Sequence, residues 1–394
     1  MREYLINADF DLSLRRGRAP ETVDGRSRQA SEMPHHLLLL GVEGDSVLVD
    51  EQPDESFLAY LDRRGIHRPS TTVLPTVTPE ARFTPFGWND EAVELSGAYN
   101  QPARHPPLDV VRRVNGRRFA AMIERELFDV DEVLGVFESL EEIESFVASR
   151  PAEEEWLVKS EHGNAGLGNR RLRSRTLEES EREVVRRLLS EDVCVLLERW
   201  RRRVIDISSV FTVNNGSVED LQLYEVVNTA DGAYIGSFFG GSDERLDRWQ
   251  PSLLDVASKV AQMLSDEGYF GPVCLDHFVW SDGADLHLRP LADLNARLQV
   301  SAPMLRLWRS WSCDRVFYWR LFAARKLLLP RDFSDLEAAL GDDGFDRVDR
   351  RGILITSAFQ VAGKKLRRMG VLLVADNRVQ VEEMDRRLRG RFER

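Results

Sequence analysis

The hydrophobic pattern of this chain changes period several times, and each change marks an element. Leu37–Gly41 and Ser46–Val49 are short apolar runs separated by Glu43-Gly44-Asp45, which predicts two buried strands with a tight turn between them. Phe57-Leu58-Ala59-Tyr60-Leu61 has helical spacing, and Gly65 stands where a helix would stop. Strands followed by helices over the first hundred residues predict a small α/β domain. Residues 11–34 are polar, rich in arginine and poor in large apolar groups, which predicts a loop.

Past a proline-containing joint, Gln101 to Pro107, residues 108–128 and 140–149 read as helices. Trp156–Lys159 reads as a short strand, residues 177–189 as a helix with Val184, Val185, Leu188 and Leu189 on one face, and Val193–Leu197 as another strand. Beyond residue 204 the period falls to two. Ile205–Thr212, Gln222–Val227 and Ala233–Phe239 predict an antiparallel sheet, with Asn214-Asn215-Gly216 and Asp231-Gly232 as its turns. The remaining pattern predicts a helix over 253–266 and strands over 273–280 and 284–289. An aromatic helical stretch over 305–328, strands over 352–356 and 370–374, and a charged terminal helix follow.

Composition narrows the function classes. The 394 residues are 42% hydrophobic and 9% aromatic, enough to fill several cores, so a wholly disordered chain is excluded. Acidic residues outnumber basic ones by 66 to 54, a net charge of −12, which argues against broad binding to nucleic acid or an anionic membrane. No apolar run approaches the ~20 residues of a bilayer span, and the opening Met1–Asp9 lacks the apolar core of a signal peptide. Cys194, Cys274 and Cys313 are far apart with no CxxC pair, which points to a reducing, cytoplasmic compartment. Only five of the basic residues are lysines, so a lysine inside a chemical motif stands out.

Three segments could carry chemistry. Lys159 leaves a strand and is followed by His162-Gly163-Asn164-Ala165-Gly166-Leu167-Gly168-Asn169. Glycines there let backbone N–H groups approach phosphate oxygens, and the lysine adds a point charge. By itself the segment is equally a glycine-rich hairpin turn. Next, Leu196-Leu197-Glu198-Arg199-Trp200 ends a strand, with Asp206 eight residues beyond Glu198. Its backbone could meet an adenine edge and its later carboxylate a ribose, or it could be a solvated hinge. Finally, Asp276 sits in the apolar strand Gly271–Phe278, and Asp293, Asn295 and Arg297 alternate onto one face of a later strand. Two carboxylates and an amide oxygen are hard ligands suited to Mg²⁺ shared with phosphates, and Arg297 and Arg289 can pair with phosphate oxygens; the alternative is an ion-paired surface strand.

The order of these segments resembles the ATP-grasp superfamily: a Val-Lys strand with a glycine loop, a hinge Glu, an isolated strand Asp, then a metal-binding acid-x-Asn. The resemblance covers roughly residues 105–305. Val114-Asn115-Gly116-Arg117 resembles the segment carrying a first nucleotide-contacting cation in many members, which singles out Arg117. Phe83-Thr84-Pro85-Phe86-Gly87-Trp88-Asn89 is similar, more loosely, to the N-terminal domain of pheganomycin-type peptide ligases. Two departures stand out: Asp293 occupies a position where Glu is commoner, and Cys274 one where many ligases carry Arg.

The resemblance implies an α+β fold of two lobes behind an α/β pre-ATP-grasp domain. It divides the chain into 1–105, a small lobe 106–200, a large lobe 201–305 and a mixed C-terminal extension 306–394. It implies ATP and Mg²⁺ as cofactors and a carboxylate–amine ligase forming an amide or peptide bond through an acyl phosphate. Phosphoryl transfer to a small molecule, or a silent ATP-binding regulatory protein, are the alternatives. Arg117, Lys159, Gly163, Gly166, Gly168, Glu198, Trp200 and Asp206 would hold nucleotide. Asp276, Asp293 and Asn295 would hold metal, and Arg297 with Arg289 would act in catalysis. The partners implied are small-molecule or peptide carboxylates and amines. Tyr224, Glu225, Tyr234, Phe238, Gly240 and Gly241 are candidates to line the substrate site. The aromatic run 305–322 is either core or a homodimer contact.

Overall fold

The computed structural model describes residues 1–15, 28–151, 154–163, 169–173, 176–229, 232–241, 244–311, 314–328, 330 and 332–393, with the backbone alone at 28–30. The N-terminal unit is an all-parallel sheet in the order β3-β2-β1-β4, built from β1 (Arg2–Leu5), β2 (Ser46–Val49), β3 (Ser70–Val73) and β4 (Arg82–Pro85). Its helices are α1 (Phe10–Ser13), α2 (Arg28–His36), α3 (Glu55–Arg63) and α4 (Asp90–Ser96). Asp54 caps α3 and Asn89 caps α4, each side chain accepting an otherwise orphaned backbone N–H.

Two expectations fail here. Leu37–Gly41 is not a strand but a buried turn behind α2. A run of four leucines specifies burial, and burial alone does not choose between a strand and a packed loop. Residues 28–34, expected as loop, lie in α2, and Asp11 is buried within α1.

Helices α5 (Leu108–Val114) and α6 (Arg117–Phe128) lead into a four-stranded antiparallel sheet in the order β5-β8-β6-β7. Its strands are β5 (Val133–Phe137), β6 (Trp156–Ser160), β7 (Arg170–Leu172) and β8 (Val195–Arg199), covered by α7 (Leu140–Ala148) and α8 (Glu179–Glu191). A Ser139–Glu142 capping box starts α7.

The largest sheet has eight strands in the order β13-β12-β9-β10-β11-β14-β18-β15. Its first members are β9 (Arg203–Asn214), β10 (Ser217–Asn228) and β11 (Tyr234–Phe239). The β9–β10 turn is as expected: Asn215 and Gly216 both take positive φ, the requirement of a two-residue hairpin loop. After α9 (Glu244–Asp247) and α10 (Gln250–Asp266) come β12 (Gly271–Ser281) and β13 (Leu286–Asn295). Then α11 (Ala302–Trp311) precedes β14 (Val316–Ala323), α12 (Phe333–Leu340) precedes β15 (Gly352–Ile355), and a small hairpin of β16 (Gln360–Val361) and β17 (Lys364–Lys365) precedes β18 (Arg368–Ala375). Helix α13 (Arg378–Phe392) ends the chain.

The predicted helix over 305–328 is therefore half helix and half strand. Val316-Phe317-Tyr318-Trp319 is β-branched and aromatic, and it forms a central strand buried on both faces. Phe317, Tyr318, Trp319 and Phe322 are consequently buried in the chain's own core, not displayed as a dimer contact. Through β14, β15 and β18 the C-terminal residues continue the same sheet as β9–β13. They also anchor the N-terminal unit: Phe57 and Tyr60 of α3 pack on Phe333, and the Ile355 amide donates to Tyr60 Oη at 3.0 Å. Among the described residues no helix is long and apolar enough to cross a membrane.

Candidate active site

A cavity of about 400 Å³ lies where the sheets meet. Elements from every part of the chain line it: Asp11 and His36 from the N-terminal unit, Arg117 from α6, Lys159 from β6, Asp276 from β12, Asp293 and Asn295 from β13, and Arg368 from β18. Gly163, Trp200, Asp206 and Arg297 line it too.

The paired acids come from strand register. Asp276 of β12 lies opposite Asp293 of β13 on one side and Ser208 of β9 on the other. Ser208 Oγ donates to Asp276 Oδ1 at 2.7 Å, and Asn295 Nδ2 donates to Asp276 Oδ2 at 3.2 Å. Burial, and then the Asp293 charge, push the Asp276 carboxyl up to about 6. Two carboxylates at facing strand positions, the charge of Asp293 bearing on Asp276, with an amide oxygen beside them, fit a hard divalent cation, which would relieve that repulsion. Strand β13 ends at Asn295, so Arg297 is not on it as expected; it sits in the bend beyond and still reaches the cavity. Its Nε meets both Asp11 oxygens at 3.0 and 3.1 Å, and its Nη2 donates to Asn295 Oδ1 at 3.0 Å.

The cations opposite are held just as firmly. Arg117 opens α6 behind Gly116, where a Cβ would fall 2.4 Å from Glu161 Oε1, so the glycine leaves room for that carboxylate beside the backbone. The Arg117 guanidinium donates to Ser160 O at 2.6 Å and to Asp293 Oδ2 at 3.2 Å. Burial opposes that charge, and Asp293, with Glu198 and Asp11, more than restores it. Lys159 Nζ is 2.8 Å from Glu198 Oε1, across the diagonal of the β6–β8 ladder. Burial pulls the Lys159 ammonium below its ordinary value, with Glu198 acting against it.

Two sequence-derived candidates do not face the cavity. Arg289 is 2% exposed and bridges Glu124, at 3.0 Å, and Glu198, at 2.9 Å. The Glu198 side chain is likewise turned into this network; burial would raise its carboxyl, but Arg289 and Lys159 outweigh burial and hold it down at about 2. Gly166 and Gly168 lie outside the described residues. Of the substrate-lining candidates, Tyr224 and Tyr234 line the cavity. Glu225 points to the other face of β10, as alternation demands, and is paired with Arg378 and Arg245. Phe238 stacks on Tyr318 at 4.1 Å, and neither it nor Gly240 nor Gly241 lines the cavity.

Sequence reasoning missed Asp11, Ser208 and Glu124. Ser208 was within reach, two residues after Asp206 on the same strand. Glu124 was a charge on the apolar stripe of α6, beside Ala120 and Ile123. Asp11 carried no signal, because its partner lies 286 residues away.

No protein-family model matches the chain, and no curated protein matches it in sequence. Solved structures do. An N5-carboxyaminoimidazole synthetase from Staphylococcus aureus, complexed with ADP, is 10% identical, covers 92% of this chain and 95% of its own, and has a TM-score of 0.54. The biotin carboxylase domain of the 2-oxoglutarate carboxylase of Hydrogenobacter thermophilus, in complex with MgADP, ADP and bicarbonate, is 11% identical. It covers 100% of this chain and 90% of its own, with a TM-score of 0.55. An N5-carboxyaminoimidazole ribonucleotide synthetase from Thermus thermophilus is 14% identical, covers 91% and 96%, and has a TM-score of 0.52. The chain has the ATP-grasp fold. Within this ATP-grasp architecture the sheet β5–β8 and the strands β9–β13 flank the cavity, so that Lys159 comes from one side and Asp276 and Asp293 from the other.

Proposed function

We propose that this chain is an ATP-dependent, ADP-forming ligase that joins a carboxylate to an amine. The observation that carries the reading is one cavity holding Asp276, Asp293 and Asn295 opposite Arg117 and Lys159, with Arg297 beside them. The fold supports it, because solved structures sharing the fold are complexes with ADP and MgADP. In this reading residues 106–200 and 201–305 grip the nucleotide, 1–105 is the pre-ATP-grasp domain, and 306–394 is a C-terminal extension.

Asp276, Asp293 and Asn295 would hold Mg²⁺, which when bound neutralises and orients the phosphates. Lys159 and Arg117, already fixed by Glu198 and Asp293, hold phosphate oxygens without reorganising. Trp200 offers an aromatic face to the adenine, and Asp206 a carboxylate to the ribose hydroxyls. The substrate carboxylate attacks the γ-phosphorus, ADP leaves, and the amine then displaces phosphate from the acyl phosphate. Arg297, oriented by Asp11, stabilises charge on the phosphoryl group in transit. Arg289 acts at one remove, orienting the Glu198 that orients Lys159.

The test is a screen of acid and amine pairs with Mg·ATP, reading ADP and free phosphate separately. The ligase reading expects both products in equal amounts, only when acid and amine are both present. ADP with a stable phosphorylated acceptor and no free phosphate would instead make the chain a phosphotransferase.

A further inference from the structure

The charges lining the cavity are not evenly matched. Arg117 pairs with Asp293, Lys159 with Glu198, Arg203 with Asp206 and Arg297 with Asp11. The remaining lining cations are Arg367 and Arg368, adjacent at the start of β18. Among the described residues neither guanidinium has a carboxylate or hydrogen-bond partner. Glu32, the acid at this end, accepts from the Arg367 backbone amide at 3.2 Å. Arg368 is half-buried, and its charge is felt by Tyr234 and His36, which line the cavity with it. His36 is 3% exposed, and its Nδ1 has no hydrogen-bond partner among the described residues. Met33 and Leu321 supply apolar surface at this end. A half-buried cation with no partner among the described residues loses hydration and regains nothing from them, which leaves its donors for an anion.

We propose that Arg368, with Arg367 at the rim, forms an anion subsite for the second substrate, a small molecule bearing a phosphate or carboxylate on a partly apolar body. The inference deepens the ligase reading and rests on it for the word substrate; the subsite itself rests on the charge pattern. Anchoring that anion on β18 would leave the rest of the molecule in the cavity shared with Asp276 and Asp293. Phosphate and carboxylate share the chemistry a guanidinium recognises, two oxygens facing paired N–H donors.

The experiment titrates phenyl phosphate and, separately, phenylacetate into the protein saturated with Mg²⁺ and a non-hydrolysable ATP analogue, so that the phosphate end is filled. Benzyl alcohol serves as the uncharged control. One of the two anions should bind and the alcohol should not. Arg368→Gln should weaken the anion about tenfold or more, as loss of a charge-assisted hydrogen bond requires, with Arg368→Lys between. Whichever anion binds more tightly names the group. Equal affinity in wild type, Arg368→Gln and the double variant Arg367→Gln/Arg368→Gln would overturn the subsite, as would no binding of either anion at about 10 mM. Nucleotide affinity should be unchanged in Arg368→Gln. If nucleotide fails to bind while the anion depends on Arg368, the ATP reading falls and the subsite stands. If nucleotide binds and the anion does not, the subsite falls alone.

Discussion

The two ends of the cavity are built on opposite electrostatic plans. At the end facing α6 and β6, every cation has a fixed acidic partner, and the network runs Arg289–Glu198–Lys159 on one side and Asp11–Arg297–Asn295 on the other. At the β18 end, the Arg367 and Arg368 guanidiniums face the same space with no such partner among the described residues. The difference separates two uses of charge. A paired, buried cation is held in place before any ligand arrives, so its partner sets its position. An unpaired, half-exposed cation contributes little to the fold and keeps its hydrogen-bonding capacity for a ligand.

The largest expected effect breaks the paired end. Arg289→Ala leaves Glu124 and Glu198 buried without their shared cation and should cost about 3–5 kcal/mol of stability. Denaturant unfolding measures it, and a loss under about 0.5 kcal/mol would show that the network is not what fixes Glu198.

A smaller effect comes from acid. Burial lowers His35 to about 4 and His36 to about 3, with His35 and Arg368 adding to the shift at His36. The unfolded chain takes protons on both near 6.5, and the folded chain does not until well below. Their contribution is thus fully present above about 6.5 and is lost as pH falls toward about 4, by up to about 1.4 kcal/mol per pH unit for each histidine. The stability difference between pH 7 and pH 5 should shrink in His35→Gln/His36→Gln. An unchanged difference would mean that these imidazoles titrate normally in the folded chain.

The smallest effect is at the unpaired end. Arg368→Gln should shift unfolding stability by no more than about 0.5 kcal/mol, since it breaks no ion pair among the described residues. A loss comparable to that of Arg289→Ala would erase the distinction between the two ends.

What the sequence disclosed follows the range of the interactions involved. The β9–β10 hairpin was legible because Asn215-Gly216 fixes its turn locally. The faces of Asp293 and Asn295 were legible because alternation along β13 is local too. The join of β11 to β14, and of β14 to β18, was not, since each partner is chosen by packing across many residues. The same limit explains Arg289 and Glu225. Both carry the right charge in the right segment, and each is claimed by partners from distant helices, Glu124 on α6 and Arg378 on α13. Val316–Ala323 shows the reverse failure: its aromatic spacing reads as helix, and burial on both faces decides for strand.

The central claim is that the facing carboxylates of β12 and β13 hold a metal-bound nucleotide. Isothermal titration of an ATP analogue, with and without Mg²⁺, against wild type and Asp293→Ala tests it directly. The account predicts Mg²⁺-dependent binding in wild type that Asp293→Ala abolishes or greatly weakens. No binding by wild type at millimolar nucleotide, or binding that Asp293→Ala leaves intact, would contradict it.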